Sequence, residues 1–254
     1  AVQFGDGAYE WIRIHHGHSF GLSYHTDRLY RSMRLLGIRP VTAPDEFTEI
    51  VEVVVEESEI EEGYVKIIVT RGSDDHNFTI PARSALQPNV LVYGKPIDLN
   101  AIEKVQSGVN CITLDDDRGH HCDILSLNQL NNMMARAEAQ KKNCYDAVFI
   151  KDGLLTEASH SNVCIVKAGV IWTPATNEHM IRGVTRSLML TRAAPSAGVT
   201  SIDESSEPVR FEDMMTAEEV FLTNSQDGII PVLSIDGNPI GGGKVGDVTK
   251  KIQE

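Results

Sequence analysis

The sequence predicts an α+β protein built from two unequal domains, each of the mixed α/β kind. Short apolar runs of strand length are bounded by turn residues, and stretches with helical periodicity lie between them. The two kinds of element alternate without the regular spacing of repeated βαβ units, which favours this fold class. A Pro-containing connector near residues 95–100 separates the predicted domains, residues 1–97 and 98–254.

The first domain is predicted to contain four strands and two helices. "AYEWIRIHHGHSFGL" indicates two strands that turn at Gly17, and the helix that follows ends at Gly37 as its C-cap. A second helix covers residues 45–59, with glutamates on a solvated face. Its inward side chains are predicted to be Phe47, Ile50, Val51, Val54 and Val55. "GYVKIIVTRG" and "QPNVLVYGKP" supply the other strands.

The second domain is predicted to begin with the strand "GVNCITLDD" and a helix over residues 126–142. "YDAVFI" turns at Asp152–Gly153, and "SNVCIVKAG" pairs with "VIWTP" across Ala168–Gly169. A helix starts near residue 184 and a short one near residue 211. The strand "EEVFLTN" and the hairpin "PVLSIDGNPI" complete the domain.

Composition excludes several kinds of partner. The 254 residues carry a formal net charge of −13, so nucleic acid and anionic membrane surfaces would be repelled. No apolar run approaches the ~18 residues of a membrane-spanning helix. The four cysteines form no CxxC pair, which favours a reduced, cytoplasmic protein with free thiols over a disulfide-bonded one.

Two sequence features that suggest other sites fail on spacing. The histidines of "HHGH" and "HHCD" are adjacent or i+2, unlike those of zinc motifs, so no metal site is predicted. "GNPIGGGKV" lacks both the glycine spacing and the following Ser or Thr of a P-loop. A glycine-rich hairpin turn explains it better.

Four separated segments carry groups that a phosphorylated pyridine ring would need. "HTDRL" places Arg28 in the first turn of a helix, where its guanidinium suits a phosphate. "RGVTRS" puts Val184 and Thr185 at a helix start, where backbone amides and a hydroxyl can bind the same dianion. "TNSQ" adds short polar groups, and Glu157, expected in a turn between two strands, can hydrogen-bond a ring nitrogen. Taken singly, the arginine, threonine and glutamate could equally be a surface ion pair, an N-cap and a turn residue.

Three longer stretches resemble those of the fold type IV pyridoxal-phosphate enzymes. They are "FGDGAYEWIRIHHGHSFGLSYHTDRLYRS", "CDILSLNQLNNMMARAEAQKKNCYDAVFIKDGLLTEASHSNV" and "IWTPATNEHMIRGVTRS". The resemblance covers nearly the whole chain and is closest to D-amino acid aminotransferases, through "FGDGAYE", "CDI-SLN" and "GKVGDVTKK". It implies a small N-terminal and a larger C-terminal domain, with pyridoxal 5'-phosphate between them in a homodimer. A segment preceding residue 1 would supply the family's first strand hairpin.

The resemblance also implies a role for each matching residue. Glu157 would face the pyridine nitrogen, and Tyr9 and His76 would line the substrate pocket. The cofactor phosphate would be held by Arg28, Val184, Thr185, Asn224 and Ser225. The arginine that binds the substrate carboxylate in D-amino acid aminotransferases has no counterpart, because the loop reads "RGSDDHNF" and its two aspartates would repel an anion. Either the substrate anion is held elsewhere, with Arg13 and Arg182 as candidates, or the substrate is not an ordinary amino acid.

The catalytic position of the family holds a leucine. Where the family reads "CDIKSLN" this chain reads "CDILSLN", so Leu125 stands at the position of the lysine that binds the cofactor and moves the substrate proton. Lys141 and Lys142 are more than ~20 Å of helical rise away and cannot replace it. Three explanations are open: an inactivated relative that still binds the cofactor, a cofactor-bearing lysine written as leucine, and a fold reused without the cofactor. The retained cofactor-site residues favour the first two.

Two classes of function follow. The first is a pyridoxal-phosphate transaminase that moves an amino group between an amino acid, such as D-alanine, and a 2-oxo acid, with activity reduced or lost through Leu125. The second is a non-catalytic, cofactor-binding protein on the same fold. Within the enzymes, R-selective amine transaminase and aminodeoxychorismate lyase stay open as alternatives.

Overall fold

The chain divides into two compact units. The computed structural model describes residues 4–73, 86–202 and 208–254. By contact, the first unit is Ala1–Asp98 with Ile124–Gln129, and the second is Leu99–Asp123 with Leu130–Glu254. The short segment Ile124–Gln129 therefore belongs to the unit that otherwise ends at Asp98. The domain boundary after residue 97 stays a prediction.

The first unit is an antiparallel four-stranded sheet with two helices. Its elements are β1 Gly7–His15, β2 His18–Ser19, α1 Leu22–Leu36, α2 Pro44–Glu57, β3 Glu62–Thr70 and β4 Asn89–Pro96. The strand order is β2-β1-β3-β4. Alternate residues of β1 and β3 pack with α1 and α2 in one hydrophobic cluster, because side chains alternate between the two faces of a strand.

The second unit is built on a nine-stranded mixed sheet. Its strands are β5 Val109–Asp115, β6 Asp146–Lys151, β7 Leu154–Ala158, β8 Asn162–Lys167, β9 Val170–Trp172, β10 Ser201–Ile202, β11 Glu219–Asn224, β12 Gly228–Ile235 and β13 Asn238–Pro239. Its helices are α3 Leu99–Gln106, α4 Leu130–Lys141, α5 Val184–Leu188, α6 Ala194–Ser196, α7 Phe211–Met215 and α8 Asp247–Gln253. The strand order is β10-β9-β8-β11-β12-β5-β6-β7, and β13 pairs with β12. The pairs β12–β5, β5–β6 and β9–β10 are parallel. A π-helical turn, Met189–Ala193, joins α5 to α6.

Several predicted ends and turns are confirmed. Helix α1 ends at Gly37, which has a φ of 68° and caps the last turn through its N–H. The β6–β7 and β8–β9 hairpins turn at Asp152–Gly153 and Ala168–Gly169, and all four residues have positive φ. All four cysteines are free, as expected. Within the described ranges, no helix is long and apolar enough to cross a membrane.

Four expectations about local structure are wrong. Ile50 of α2 is 45% exposed and does not face the core. Helix α3 was not predicted; none of its side chains is fully buried, and Val105 packs against a hydrophobic cluster of the second unit. Helix α4 starts at Leu130 instead of residue 126, because the preceding segment pairs with β1. Glu157 lies inside strand β7, not in a turn.

Candidate active site

Arg28 lies on α1, and a buried carboxylate fixes its guanidinium. Its Nε and Nη2 donate to the two carboxylate oxygens of Glu10, each at 2.8 Å. His25 Nδ1 lies 2.7 Å from the same carboxylate. Burial alone would raise the pKa of Glu10, but the charge and hydrogen bonds of Arg28 and His25 outweigh it and lower the pKa below its ordinary value. Glu10 therefore stays ionised and orients Arg28.

Leu125 lies in the segment that pairs with the outer edge of β1. Tyr9 N–H donates to the carbonyl oxygen of Leu125 at 3.0 Å, and Ser126 forms a β-bridge with Ala8. Because side chains alternate along paired strands, Leu125 lies on the same face of the sheet as Tyr9. Its side chain is half-buried. The candidate catalytic position is thus fixed to the strand that also carries a predicted substrate residue.

Glu157 is buried in β7 and is held by two donors. Arg118 Nη1 donates to its Oε1 at 2.5 Å, and the Ile181 N–H donates to its Oε2 at 2.8 Å. Burial raises the pKa of Glu157 to about 7, although Arg118 and the Ile181 N–H oppose the shift. The carboxylate is therefore poised between its two protonation states near neutral pH.

Arg118 connects Glu157 to a second buried acid. Its Nε and Nη2 donate to the two oxygens of Asp116 at 2.9 and 2.8 Å, and Nη2 also donates to the carbonyl oxygen of His179. The Asp116 and Arg118 side chains are 3% and 6% exposed. Sequence reasoning missed Arg118, because its partner Glu157 lies 39 positions away along the chain.

Two hydrogen bonds and one close contact join Glu157 to the start of α5. Ile181, whose N–H binds Glu157, accepts a hydrogen bond through its carbonyl oxygen from Asn162 Nδ2 at 2.8 Å. Asn162 Oδ1 lies against Gly183, the residue before α5, so closely that a Cβ there would come within 1.9 Å of it. Asn162 also pairs in register with Thr223, the neighbour of Asn224 on β11. The candidate ring-nitrogen group and two candidate phosphate segments therefore meet around one asparagine.

The start of α5 is not capped by a side chain. Gly183 is its N-cap and makes no side-chain capping bond, while Val184 is buried and Thr185 is half-buried. The helical run continues from Val184 to Ser196. Uncapped N–H groups in a first helical turn are an anion-binding arrangement.

The end of β11 presents a fixed asparagine. Asn224 Nδ2 lies 3.1 Å from both Tyr145 Oη and Ser161 Oγ, and its Oδ1 accepts from the N–H groups of Gln226 and Asp227. Ser225, the next residue, is half-buried. In the described part of the chain, the Thr223 hydroxyl is buried without a hydrogen-bond partner. This strand end therefore combines a rigid amide with hydroxyl groups.

The candidate substrate residues have different surroundings. Arg13 Nη2 donates to Glu62 at 2.5 Å, so a carboxylate of the protein already holds it. Arg182 is exposed and follows Ile181, whose N–H binds Glu157. Tyr9 is half-buried on β1. His76 lies outside the described residues.

One of the histidine clusters has a partner that spacing could not show. His15 Nδ1 and His16 Nδ1 lie 2.8 and 3.7 Å from Glu62 Oε1, and the three ligand atoms lie within 4.8 Å of one another. Glu62 comes from β3, so the "HHGH" spacing alone did not reveal it. Its other oxygen is held by Arg13, and both histidines are exposed.

Gly183→Ala is expected to destabilise the protein by about 1–3 kcal/mol, the range typical of overpacking. The new methyl group would overlap Asn162 Oδ1, which is fixed by its bond to Ile181. Urea unfolding measures the effect. In an Asn162→Ala background the penalty should largely disappear. An equal penalty in both backgrounds would show that this contact is not the cause.

The fold is that of the fold type IV pyridoxal-phosphate enzymes, as predicted. The structure matches Escherichia coli branched-chain amino acid aminotransferase with a TM-score of 0.88 at 22% identity, over 100% of this chain and 84% of that one. It also matches the PLP-bound form of a hypothetical aminotransferase from Mycobacterium tuberculosis, with a TM-score of 0.83 at 23% identity, over 100% of this chain and 89% of that one.

Sequence comparison identifies the family. The profile described as "Amino-transferase class IV" matches residues 7–235. A D-alanine aminotransferase of Bacillus licheniformis is 37% identical over 251 residues, which cover 99% of this chain and 86% of that protein. The chain therefore belongs to the class IV aminotransferases, whose cofactor is pyridoxal phosphate.

Proposed function

We propose that this chain is a pyridoxal 5'-phosphate-dependent transaminase that moves an amino group between a D-amino acid such as D-alanine and a 2-oxo acid, with its activity reduced or lost because Leu125 stands at the position of the Schiff-base lysine. The observation that carries the proposal is the path from Glu157 through Ile181 and Asn162 to the start of α5. It connects a buried carboxylate to an uncapped helix start, the two groups that a phosphorylated pyridine needs at its opposite ends. Identity to D-alanine aminotransferase supports the substrate class.

The phosphate end of the site fits a dianion. The proposed phosphate ligands are Arg28, Val184, Thr185, Asn224 and Ser225. They offer a guanidinium, backbone amides, an amide and two hydroxyls, and none is an acid. In a chain with a net charge of −13, such local donors are what an anion requires. The buried, unpartnered Thr223 hydroxyl beside Asn224 is consistent with a polar group received there.

The ring end of the site fits a nitrogen heterocycle. A carboxylate has about four lone-pair sites, and Glu157 uses two of them for Arg118 and Ile181. It can therefore accept a further hydrogen bond from a protonated ring nitrogen, and Arg118 keeps it oriented for that bond. When bound, the cofactor supplies an electron sink for bonds at the substrate Cα.

The remaining assignments complete the proposal. Tyr9, Arg13 and Arg182 are proposed to contact the amino-acid and 2-oxo acid substrates, with His76 as a further pocket residue. We also propose a homodimer, as the family resemblance implies, and a cytoplasmic location, as the cysteine spacing indicates. R-amine transaminase and aminodeoxychorismate lyase are the alternative reactions of the same site.

A specific observation favours a second candidate. Leu125 offers neither an amine nor a base, so the chain could bind the cofactor without catalysis. Such a pseudoenzyme would share the cofactor site proposed above and lack turnover. A protein that reuses the fold without the cofactor would not depend on either Arg28 or Glu157.

Cofactor binding tests the proposal. Equilibrium dialysis with pyridoxal phosphate is expected to show one saturable site. Arg28→Ala should weaken it roughly 10–100-fold, since hydrogen bonds to charged groups contribute about 1.5–3 kcal/mol. Glu157→Ala should also weaken it. Arg34→Ala, an exposed arginine of the same helix, is the matched control and should have no effect. Equal affinity in all these proteins would contradict the proposal, once thermal melts show that each variant is folded.

A further inference from the structure

The two faces of the four-stranded sheet differ in composition. One face packs into the hydrophobic cluster with α1 and α2, through Ala8, Ile12, Ile14, Val65, Ile67 and Val69. The opposite face carries Tyr9 and Trp11 from β1 and Lys66 from β3, with Trp11 and Lys66 in direct register. A lysine on a half-buried aromatic surface is unusual, because an ammonium group normally remains in water.

Lys66 is held over the two aromatic rings. Its Nζ lies 4.7 Å from the centroid of the Trp11 ring and 5.4 Å from that of Tyr9. Among the described residues, no carboxylate forms an ion pair with this amine. Burial lowers the pKa of Lys66 below its ordinary value, which increases the share of neutral, nucleophilic amine.

Lys66 and Leu125 lie on the same face, on opposite sides of β1. Ala8 pairs with Val69 of β3 along one edge of β1 and with Ser126 along the other. Neighbouring strands are ~4.8 Å apart, so the backbones of Lys66 and Leu125 each lie about that distance from β1. The side chain of Lys66 extends over β1, because its Nζ lies above the ring of Tyr9, a residue of that strand.

We propose that Lys66 supplies the primary amine that Leu125 lacks, and that it condenses with the aldehyde of pyridoxal phosphate. This inference rests on the proposed function. The neutral Nζ attacks the aldehyde carbon, a carbon–nitrogen double bond forms, and the carbonyl oxygen leaves as water. No oxidant or reductant is needed, and the proton of the ammonium form goes to solvent.

Chemical trapping tests this inference. The chain is incubated with pyridoxal phosphate, reduced with sodium borohydride and digested, and the phosphopyridoxyl group is located by mass spectrometry. The modification is expected on the peptide that contains Lys66. It should be lost in Lys66→Arg, which keeps a cation over the rings and so preserves the packing. Lys95→Arg, an exposed lysine on β4 of the same sheet, is the matched control and should leave the modification in place.

Four results distinguish the possibilities. In a Leu125→Lys chain the modification is expected to move from Lys66 to the introduced lysine. That result would show that both amines can reach the same bound cofactor. Modification spread over exposed lysines and unchanged by Lys66→Arg would overturn the inference. Saturable binding without modification of Lys66 would contradict the inference alone, whereas no saturable binding in equilibrium dialysis would contradict the proposed function itself.

Discussion

Replacing Leu125 by lysine is expected to raise transamination of D-alanine with a 2-oxo acid by at least ~10²–10⁴-fold, the contribution of a positioned acid–base group. The backbone at this position is already fixed by the bond from Tyr9 N–H to the Leu125 carbonyl. An introduced side chain would therefore start on the same face as Tyr9. The measurement is steady-state turnover with pyridoxal phosphate present, followed together with the visible absorbance of the bound cofactor.

Leu127→Lys is the matched control for this prediction. Leu127 belongs to the same segment and is also half-buried, but an amine there would be displaced by two residues. It should give no gain in turnover. Comparing D-alanine, R-phenylethylamine and aminodeoxychorismate as substrates of the Leu125→Lys protein then separates the three candidate reactions. A folded, cofactor-loaded Leu125→Lys protein without turnover on any of them would contradict the proposed transaminase function.

Arg118→Leu is expected to destabilise the protein by about 3–5 kcal/mol near pH 8, because it leaves the buried acids Asp116 and Glu157 without their cation. Chemical unfolding measures this loss. Lys141→Met, which removes an exposed ion pair with Glu138, is the control and should cost at most about 1 kcal/mol.

The penalty of Arg118→Leu should depend on pH. In the wild-type chain the folded-state pKa of Glu157, about 7, lies above its ordinary value of 4.5. Its contribution therefore favours the folded state at low pH and is lost as the pH rises through that interval. Without Arg118 the pKa rises further, so the loss extends to higher pH. The penalty should be smaller near pH 5 than near pH 8, and a pH-independent penalty would show that Glu157 is not the group responsible.

The parts of the fold that could be predicted from the sequence are those fixed by local chemistry. Gly37 ends α1 and Asp152–Gly153 turns a hairpin because only a few residue types adopt positive φ at low cost. The start of α4 could not be predicted in this way. The residues just before it were predicted to be helical, but pairing of Ser126 with β1 holds them in a different conformation. Tertiary contact overrides propensity there.

The same distinction holds for the candidate site. Arg28 and Glu157 could be proposed from family resemblance, because each stands in a motif of neighbouring residues. Glu10 and Arg118, which orient them, could not be, since their importance comes from contacts 18 and 39 positions away. Three acids followed by one arginine, as in "DDDRG", form a pattern that solvated loops also show. The pattern is significant here because the side chains of Asp116 and Arg118 are buried, and burial is known only from the folded chain.

The segment Ile124–Gln129 has a consequence for how the protein can be divided. It belongs to the first unit by contact, yet in the sequence it follows residues that belong to the second unit. A single cut after Asp98 would therefore yield an N-terminal fragment with an incomplete first unit, and a C-terminal fragment that carries the missing segment along with the whole second unit. The N-terminal fragment would lack the partner of Ala8, and the C-terminal fragment would carry Leu125 without the strand that fixes it. The backbone at position 125 is held by β1 only when both halves of the polypeptide are present.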